Sequence, residues 1–351
     1  MDKRHFALSL IFVVSLYAIM LVYIYATAGN TIRAIERNMA SMSVPLLVSS
    51  ATFHDKPQQK NKNPDTDLHK TEIQPGLIEG LSAYDETIGQ LPVIRKKDNL
   101  TSFRAYQSPF SLQVIGDKAA LSFVVKDFGL SKELSNLALD ILPPEVSFLL
   151  SPYALLPQEW INRARAKGHE VWLEIPLQRG LYNDAGLYTI YHHDSLVEKG
   201  INMRKSLAKA LGYTGVALFS DQGTAENKDH YSKLIEELYG RGLAVLELNS
   251  DAPRFVESLA ASETAPYIKV TDTLMHISQK DIFLPIEKTA QEKKQAVTMV
   301  PAYPVLIKAL ALWLEKIGKI DYVIAPVSVI YDLPLARIEQ VQKQTDRANI
   351  E

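Results

Sequence analysis

Residues 119–141 read AALSFVVKDFGLSKELSNLALDI, and this stretch decides the fold. Ala119 to Val125 is an apolar run interrupted only by Ser122, the composition of a strand buried on both faces. Lys126-Asp127-Phe128-Gly129 ends the run, and Ser131 is a candidate N-cap for the amphipathic helix SKELSNLALDIL that follows. A buried strand that leads at once into a helix predicts a βα unit in a parallel sheet.

The same alternation continues outward from this unit. Further strands are predicted over VSFLL (146–150), EVWLEIP (170–176), GVALF (215–219), LAVLEL (243–248), YIKV (267–270), AVTMV (296–300) and DYVIAP (321–326). Helices are predicted between them, in PQEWINRARAKG closing on Gly168, HYSKLIEELYGRG closing on Gly240 and YPVLIKALALWLEKIG closing on Gly318. The fold class is therefore α/β, and seven or eight βα units in one run favour a (β/α) barrel-like fold over an open sheet. In such barrels the chemistry gathers at the C-terminal ends of the strands. No Gly-rich phosphate loop, dinucleotide fingerprint or nucleophile elbow accompanies them.

The rest of the chain bounds the setting. From Phe6 to Ala28 there are no charged residues, and at about 1.5 Å per residue the run is long enough to cross a bilayer core of roughly 30 Å. Lys3 and Arg4 precede it and Tyr23 and Tyr25 lie at its far end. Ala26-Thr27-Ala28 also has the small residues of a signal-peptide cleavage site, but the run exceeds the roughly 7 to 15 residues of a signal core, so an uncleaved anchor is preferred. The expected organisation is a cytoplasmic tail (1–5), a transmembrane helix (6–28), a flexible linker or stalk (29–75), a lead-in segment (76–117), the α/β domain (118–338) and a C-terminal tail (339–351). His54 to Lys70 is polar and without periodicity, which is the signature of a disordered stalk. Among 351 residues, 38 Lys+Arg against 40 Asp+Glu exclude a strongly basic surface, and nucleic acid is not an expected partner. The absence of cysteine excludes disulfides and thiol chemistry and leaves only His and carboxylate ligands for a metal.

Val124 to Ser131, VVKDFGLS, resembles the first motif of the divergent polysaccharide deacetylases, in which two successive acids precede Phe-Gly. LPPEVSFLLSPYA (142–154), ARAKGHEVWLEIP (164–176), TGVALFSDQG (214–223) and VPAYP (300–304) resemble that family's later segments in the same order. The resemblance covers residues 90 to 338 and implies a polysaccharide deacetylase barrel. Active relatives hold a divalent metal through an acid and histidines, activate a water on it and use a neighbouring carboxylate as base. The resemblance places Lys126 where the base is expected, Glu174 and Phe219 where two histidines are expected, Pro301 at the late histidine and Asn249 near an expected aspartate. Only Asp127 stands unchanged.

Asp127 and Glu174 are thus vestigial catalytic candidates. No cofactor is expected, since two carboxylates beside an ammonium make a poor zinc site; a divalent metal belongs only to the alternative in which the domain still hydrolyses. Lys126 is a candidate substitute for the metal's charge, paired with Asp127 or Glu174, unless strand alternation turns it away from Asp127. Candidate substrate contacts are Tyr182, Tyr188, His192 and His193 in the loop YNDAGLYTIYHHDS, with Asp184 and Asp194 beside the histidines and Trp172 and Tyr191 as further aromatic surface; packing or a plain polar loop is the competing account of these residues. Ser220-Asp221 lacks a histidine nearby in sequence and does not suggest a nucleophile. The expected function is a membrane-anchored, non-catalytic module that binds an envelope glycan or envelope protein, with the inner membrane as partner through residues 6–28 and the domain in the bacterial periplasm. The alternatives are an atypical active deacetylase or a membrane-tethered scaffold.

Overall fold

The computed structural model describes residues 76–180, 186–274, 281–317 and 321–334. The expected membrane segment, the stalk and the tail 339–351 lie outside these residues, as do Tyr182, Asp184 and Gly318. Among the described residues no helix is long and apolar enough to cross a membrane.

The lead-in begins with a hairpin, β1 (Ser82–Asp85) and β2 (Gly89–Pro92), and a short helix, α1 (Ser102–Ala105). Leu81, Leu91, Phe103 and Ile115 of this segment are all buried. After it come β3 (Ala119–Phe128), α2 (Lys132–Ile141), β4 (Ser147–Leu150), α3 (Pro157–Ala166), β5 (Val171–Glu174), α4 (Leu196–Leu207) and β6 (Gly215–Leu218). The chain continues through α5 (Gln222–Glu226), α6 (Lys228–Gly240), β7 (Ala244–Glu247), α7 (Phe255–Glu263), β8 (Tyr267–Lys269), β9 (Asp272–Thr273), α8 (Leu284–Lys293), β10 (Gln295–Val300), α9 (Pro304–Lys316) and β11 (Tyr322–Ile324). All eight predicted strands form.

The large sheet is parallel, with nine strands among the described residues in the order β8-β7-β6-β5-β4-β3-β10-β9, and β11 added to the N-terminal half of β3. Its two ends are consecutive pieces of one stretch of chain: Tyr267–Lys269 pairs with β7, and Asp272–Thr273 pairs with β10. Between them, the Val270 N–H donates to Glu247 and the Thr271 N–H to Val297. The sheet therefore curls on itself into a barrel-like layer. β9 is absent from the expected strands because two residues carry no periodic signal.

Alternation divides the apolar side chains into two cores. Phe123, Val125, Phe148, Leu150, Leu173, Val216 and Val245 face the helices, while Ala120, Val124, Leu149, Trp172, Ala217, Leu246, Ile268 and Val297 fill the concave side. Trp172, expected as aromatic surface near the mouth, is fully buried in the inner core. Gly215 has no side chain because a Cβ there would lie 2.6 Å from the Trp172 ring and 2.5 Å from the Ala244 carbonyl oxygen. The N-cap role of Ser131 is realised: its hydroxyl accepts from the Leu134 N–H. α6 ends at Gly240, as expected, and Gly242, at φ +75°, makes the turn that follows.

At the N-terminal end of β5, Glu170 is fully buried, and burial pushes its carboxyl above the ordinary range. It accepts from the backbone N–H groups of Ser108 (3.2 Å) and Ser328 (3.1 Å) and from the hydroxyls of Ser328 and Ser147. One carboxyl thus ties the lead-in, two strands and the segment after β11 together.

Candidate functional site

The site begins with an irregularity in β3. Its pairing with β4 shifts register between Val125 and Phe128, and Asp127 adopts φ +60°, a left-handed conformation that aspartate tolerates better than most residues. Simple alternation would turn Lys126 and Asp127 to opposite faces. The bulge cancels it, and the Lys126 ammonium stands 3.4 Å from the carboxylate of Asp127.

Lys126 also reaches across β4 to Glu174 at the end of β5, 3.5 Å away. Glu174 receives a second cation that sequence reasoning missed: Arg179 donates to its Oε1 at 3.2 Å. The same guanidinium lies 4.5 Å from the centre of the Phe219 ring, a cation–π contact at the position of the second missing histidine. Burial raises the Glu174 carboxyl above the ordinary range, opposed first by Lys126 and then by Arg179. Lys126, Asp127, Glu174, Arg179 and Phe219 form one cluster at the strand C-termini, with charges that balance.

Arg179 is held by its surroundings. The Gly180 N–H donates to Asp221 Oδ2 at 2.7 Å, and Gln178 donates to the Gly180 carbonyl at 2.8 Å while accepting from the His192 N–H at 3.0 Å. Asp221 caps α5 through a reciprocal pair with Thr224. The fold does bring a histidine to it, contrary to the sequence expectation: His192 Nε2 lies 3.4 Å from Asp221 Oδ1, and its Nδ1 lies 3.0 Å from the Tyr231 hydroxyl. Burial lowers the His192 ring below its ordinary pKa, with Asp221 opposing. This is a clamp on the loop, since both Asp221 oxygens are already taken by backbone donors. Lys199 completes it by donating to the carbonyls of His192 and Asp194.

The remaining expected contacts do not join the cluster. His193 is 80% exposed and lies 3.7 Å from Asp194, so the two adjacent histidines point to different surroundings and form no common ligand set. Tyr188 stacks on Tyr153 at 5.7 Å and carries the Lys209 ammonium 4.3 Å above its ring; Tyr191 packs against His193. Asn249 donates to the Ser220 carbonyl at 2.6 Å, and its own N–H donates to Glu247, so it ties β6 to β7. Pro301 accepts from the Tyr303 N–H in the turn before α9. The signal for Arg179 in the sequence is faint: it follows the strand by five residues, and only the loop fold shows that it turns back onto Glu174.

A divalent metal, as the resemblance implies, does not fit these residues. Of the two carboxylates, Glu174 is paired with two cations and Asp127 with one, and the third position presents a phenyl ring covered by a guanidinium. Among the described residues no group of three His, Asp or Glu side chains converges in a way that could hold a metal ion.

The sequence model of the divergent polysaccharide deacetylase family matches residues 123–331. No curated protein matches the chain. Among solved structures, an uncharacterized protein from Agrobacterium tumefaciens C58 is 27% identical, with a TM-score of 0.63, covering 69% of this chain and 99% of that one. A mutant of a CE4 family pseudoenzyme with restored enzymatic activity is 13% identical over 62% of this chain and 69% of that one, with a TM-score of 0.37.

Proposed function

The chain belongs to the divergent polysaccharide deacetylase family, and from that premise we propose that it is a non-catalytic member, a module that binds an envelope glycan or envelope protein at the C-terminal ends of its strands without hydrolysing it. The observation that carries this reading is the Lys126 ammonium between Asp127 and Glu174, with Arg179 on the same Glu174 oxygen as Lys126. A deacetylase needs an electrophile that polarises an acyl oxygen and lowers the pKa of a water. Here the carboxylates that would hold such an ion neutralise built-in cations instead. An ammonium and a guanidinium donate hydrogen bonds to a ligand oxygen but do not generate hydroxide at neutral pH.

The setting belongs to the same proposal: residues 6–28 anchor the chain in the bacterial inner membrane, residues 29–75 form a spacer, and the domain lies in the periplasm. The uncharged run from Phe6 to Ala28 supports the anchor.

Acetate release from N-acetylated oligosaccharides and peptidoglycan fragments, with and without added divalent metal, tests the reading. The expected result is no release above the protein-free rate under either condition, together with retention of the protein on the glycan or on an envelope partner. Metal-stimulated release that disappears in Glu174→Ala would assign a hydrolase.

A further inference from the structure

Tyr303 stands where its side chain contributes nothing to the turn that carries it. It is the N-cap of α9, yet a phenol offers no capping oxygen, and no side-chain hydrogen bond is made there. The turn is fixed instead by Pro304 at the start of the helix and by the bond from the Tyr303 N–H to the Pro301 carbonyl at 2.7 Å. Tyr303 is left 57% exposed. Other aromatic rings at the strand C-termini are engaged: Tyr188 with Tyr153 and Lys209, Tyr191 with His193, and Phe219 with Arg179. Among the described residues, the Tyr303 ring meets no other ring or cation, and its hydroxyl has no hydrogen-bond partner.

This idle ring lies beside the ion cluster. β10 and β3 are paired neighbours, and their last matched residues are Val300 and Val125. Lys126 and Asp127 follow that rung on one strand and Tyr303 follows it on the other, so at about 3.3 Å per residue all three lie within about 10 Å of it.

The cluster specifies the charge of a ligand. Lys126 and Arg179 balance Asp127 and Glu174, so an added ion of either sign would stand uncompensated. Hydrogen bonding within the cluster is incomplete. The Lys126 ammonium stands 3.4 and 3.5 Å from its carboxylates and Arg179 3.2 Å from Glu174, whereas Arg104 meets Asp332 at 2.6 and 2.9 Å and Arg204 meets Glu237 at 2.8 and 2.9 Å. Open donors and acceptors side by side suit hydroxyl groups, which do both.

We infer that Tyr303 is the platform on which an uncharged sugar ring stacks at this mouth, with hydroxyls of that ring bonded to Asp127 and Lys126. A pyranose presents an apolar C–H face and a rim of hydroxyls, and an exposed phenol beside a donor–acceptor pair matches both. The inference rests on the non-catalytic reading above and narrows its partner to a neutral glycan.

Calorimetric titration of the full-length protein at pH 6 with neutral chitotriose, the cationic glucosamine trimer and the anionic galacturonic acid trimer tests it. Chitotriose is expected to bind saturably, and each charged trimer at least about tenfold more weakly. Tyr303→Ala changes an exposed side chain; it is expected to keep the thermal midpoint and to lose at least about tenfold in chitotriose affinity, which Tyr303→Trp restores. No saturable binding of chitotriose, or equal or tighter binding of a charged trimer, would overturn the inference. Chitotriose binding that Asp127→Asn weakens and Tyr303→Ala does not would overturn the platform while leaving the mouth as the binding site. Acetate released from chitotriose would instead overturn the non-catalytic reading, and the inference with it.

Discussion

Lys126 and Glu174 belong to strands that are not neighbours, yet the ammonium of one stands 3.5 Å from the carboxylate of the other across the intervening β4. The contact closes the C-terminal ends of the strands with an internal ion pair, in the place where the family resemblance implies a metal. Glu174 is the more deeply buried partner, and Asp127 the more exposed.

Removing the ammonium isolates a buried carboxylate. Lys126→Met is expected to destabilise the fold at pH 7.5 by about 1–3 kcal/mol, less than a fully buried pair because Asp127 is partly solvated and Arg179 remains. Glu174 already titrates above the ordinary range, and without Lys126 it rises further. Acid then protonates it and removes the uncompensated charge, so the penalty shrinks toward pH 5. Urea midpoints at the two pH values check both the size and the sign; an unchanged midpoint at pH 7.5 would contradict the pairing.

Glu247 gives a separable pH dependence. Burial pushes its carboxyl up to about 7, while Oε1 accepts from the N–H groups of Ser220 and Asn249 at 3.0 Å each. A carboxyl raised in the folded state favours folding most below its unfolded pKa, and that contribution is lost as pH rises from roughly 4.5 through 7. Glu247→Gln keeps the acceptor and cannot ionise, so it is expected to flatten the fall in stability across this window, by up to about 3 kcal/mol. Parallel unfolding curves at pH 5 and 7.5 for both proteins measure the difference; identical slopes would contradict it.

Glu170 should respond differently to the same change. Both of its oxygens accept, from donors on the lead-in, β4 and the segment after β11, so an amide NH₂ would face other donors. Glu170→Gln is expected to cost about 2–4 kcal/mol at pH 7, appreciably more than Glu247→Gln. Equal effects in denaturant unfolding would show that the four-way junction is not the constraint described here.

Much of the fold was legible in residues 119–141, since an apolar run, Gly129 and the Ser131 cap dictate a βα unit whatever surrounds them. The closing stretch 267–273 was half legible: Tyr267–Val270 carries strand composition, whereas Asp272–Thr273 becomes a strand only through its pairing with β10. Within the site, the proximity of Lys126, Asp127 and Glu174 was open to sequence reasoning only as a conjecture, because a bulge, invisible to alternation, decides which way Lys126 points. The Arg179–Glu174 and His192–Asp221 contacts were at most faintly legible, since both depend on how one long loop folds back. Trp172 was misjudged for a related reason: strand position shows that a side chain lies near an end, while alternation into a filled interior settles that it is buried.

The strand ends that hold the ion cluster also suggest what would restore a metal. Lys126→Asp, Glu174→His and Phe219→His together would surround the site with Asp127, a second acid and two imidazoles, a donor set suited to zinc. The triple variant is expected to retain zinc through dialysis and to lose it on addition of a chelator. Absence of any gain, in a variant that still folds, would mean that the three positions do not converge.

The metal content of the full-length protein tests most directly whether the internal ion cluster of Lys126, Asp127, Glu174 and Arg179 stands in place of a bound ion. After loading with zinc and exhaustive dialysis, wild-type protein is predicted to retain no stoichiometric metal and to match Glu174→Ala. A stoichiometric zinc held by the wild type and lost in Glu174→Ala would contradict it.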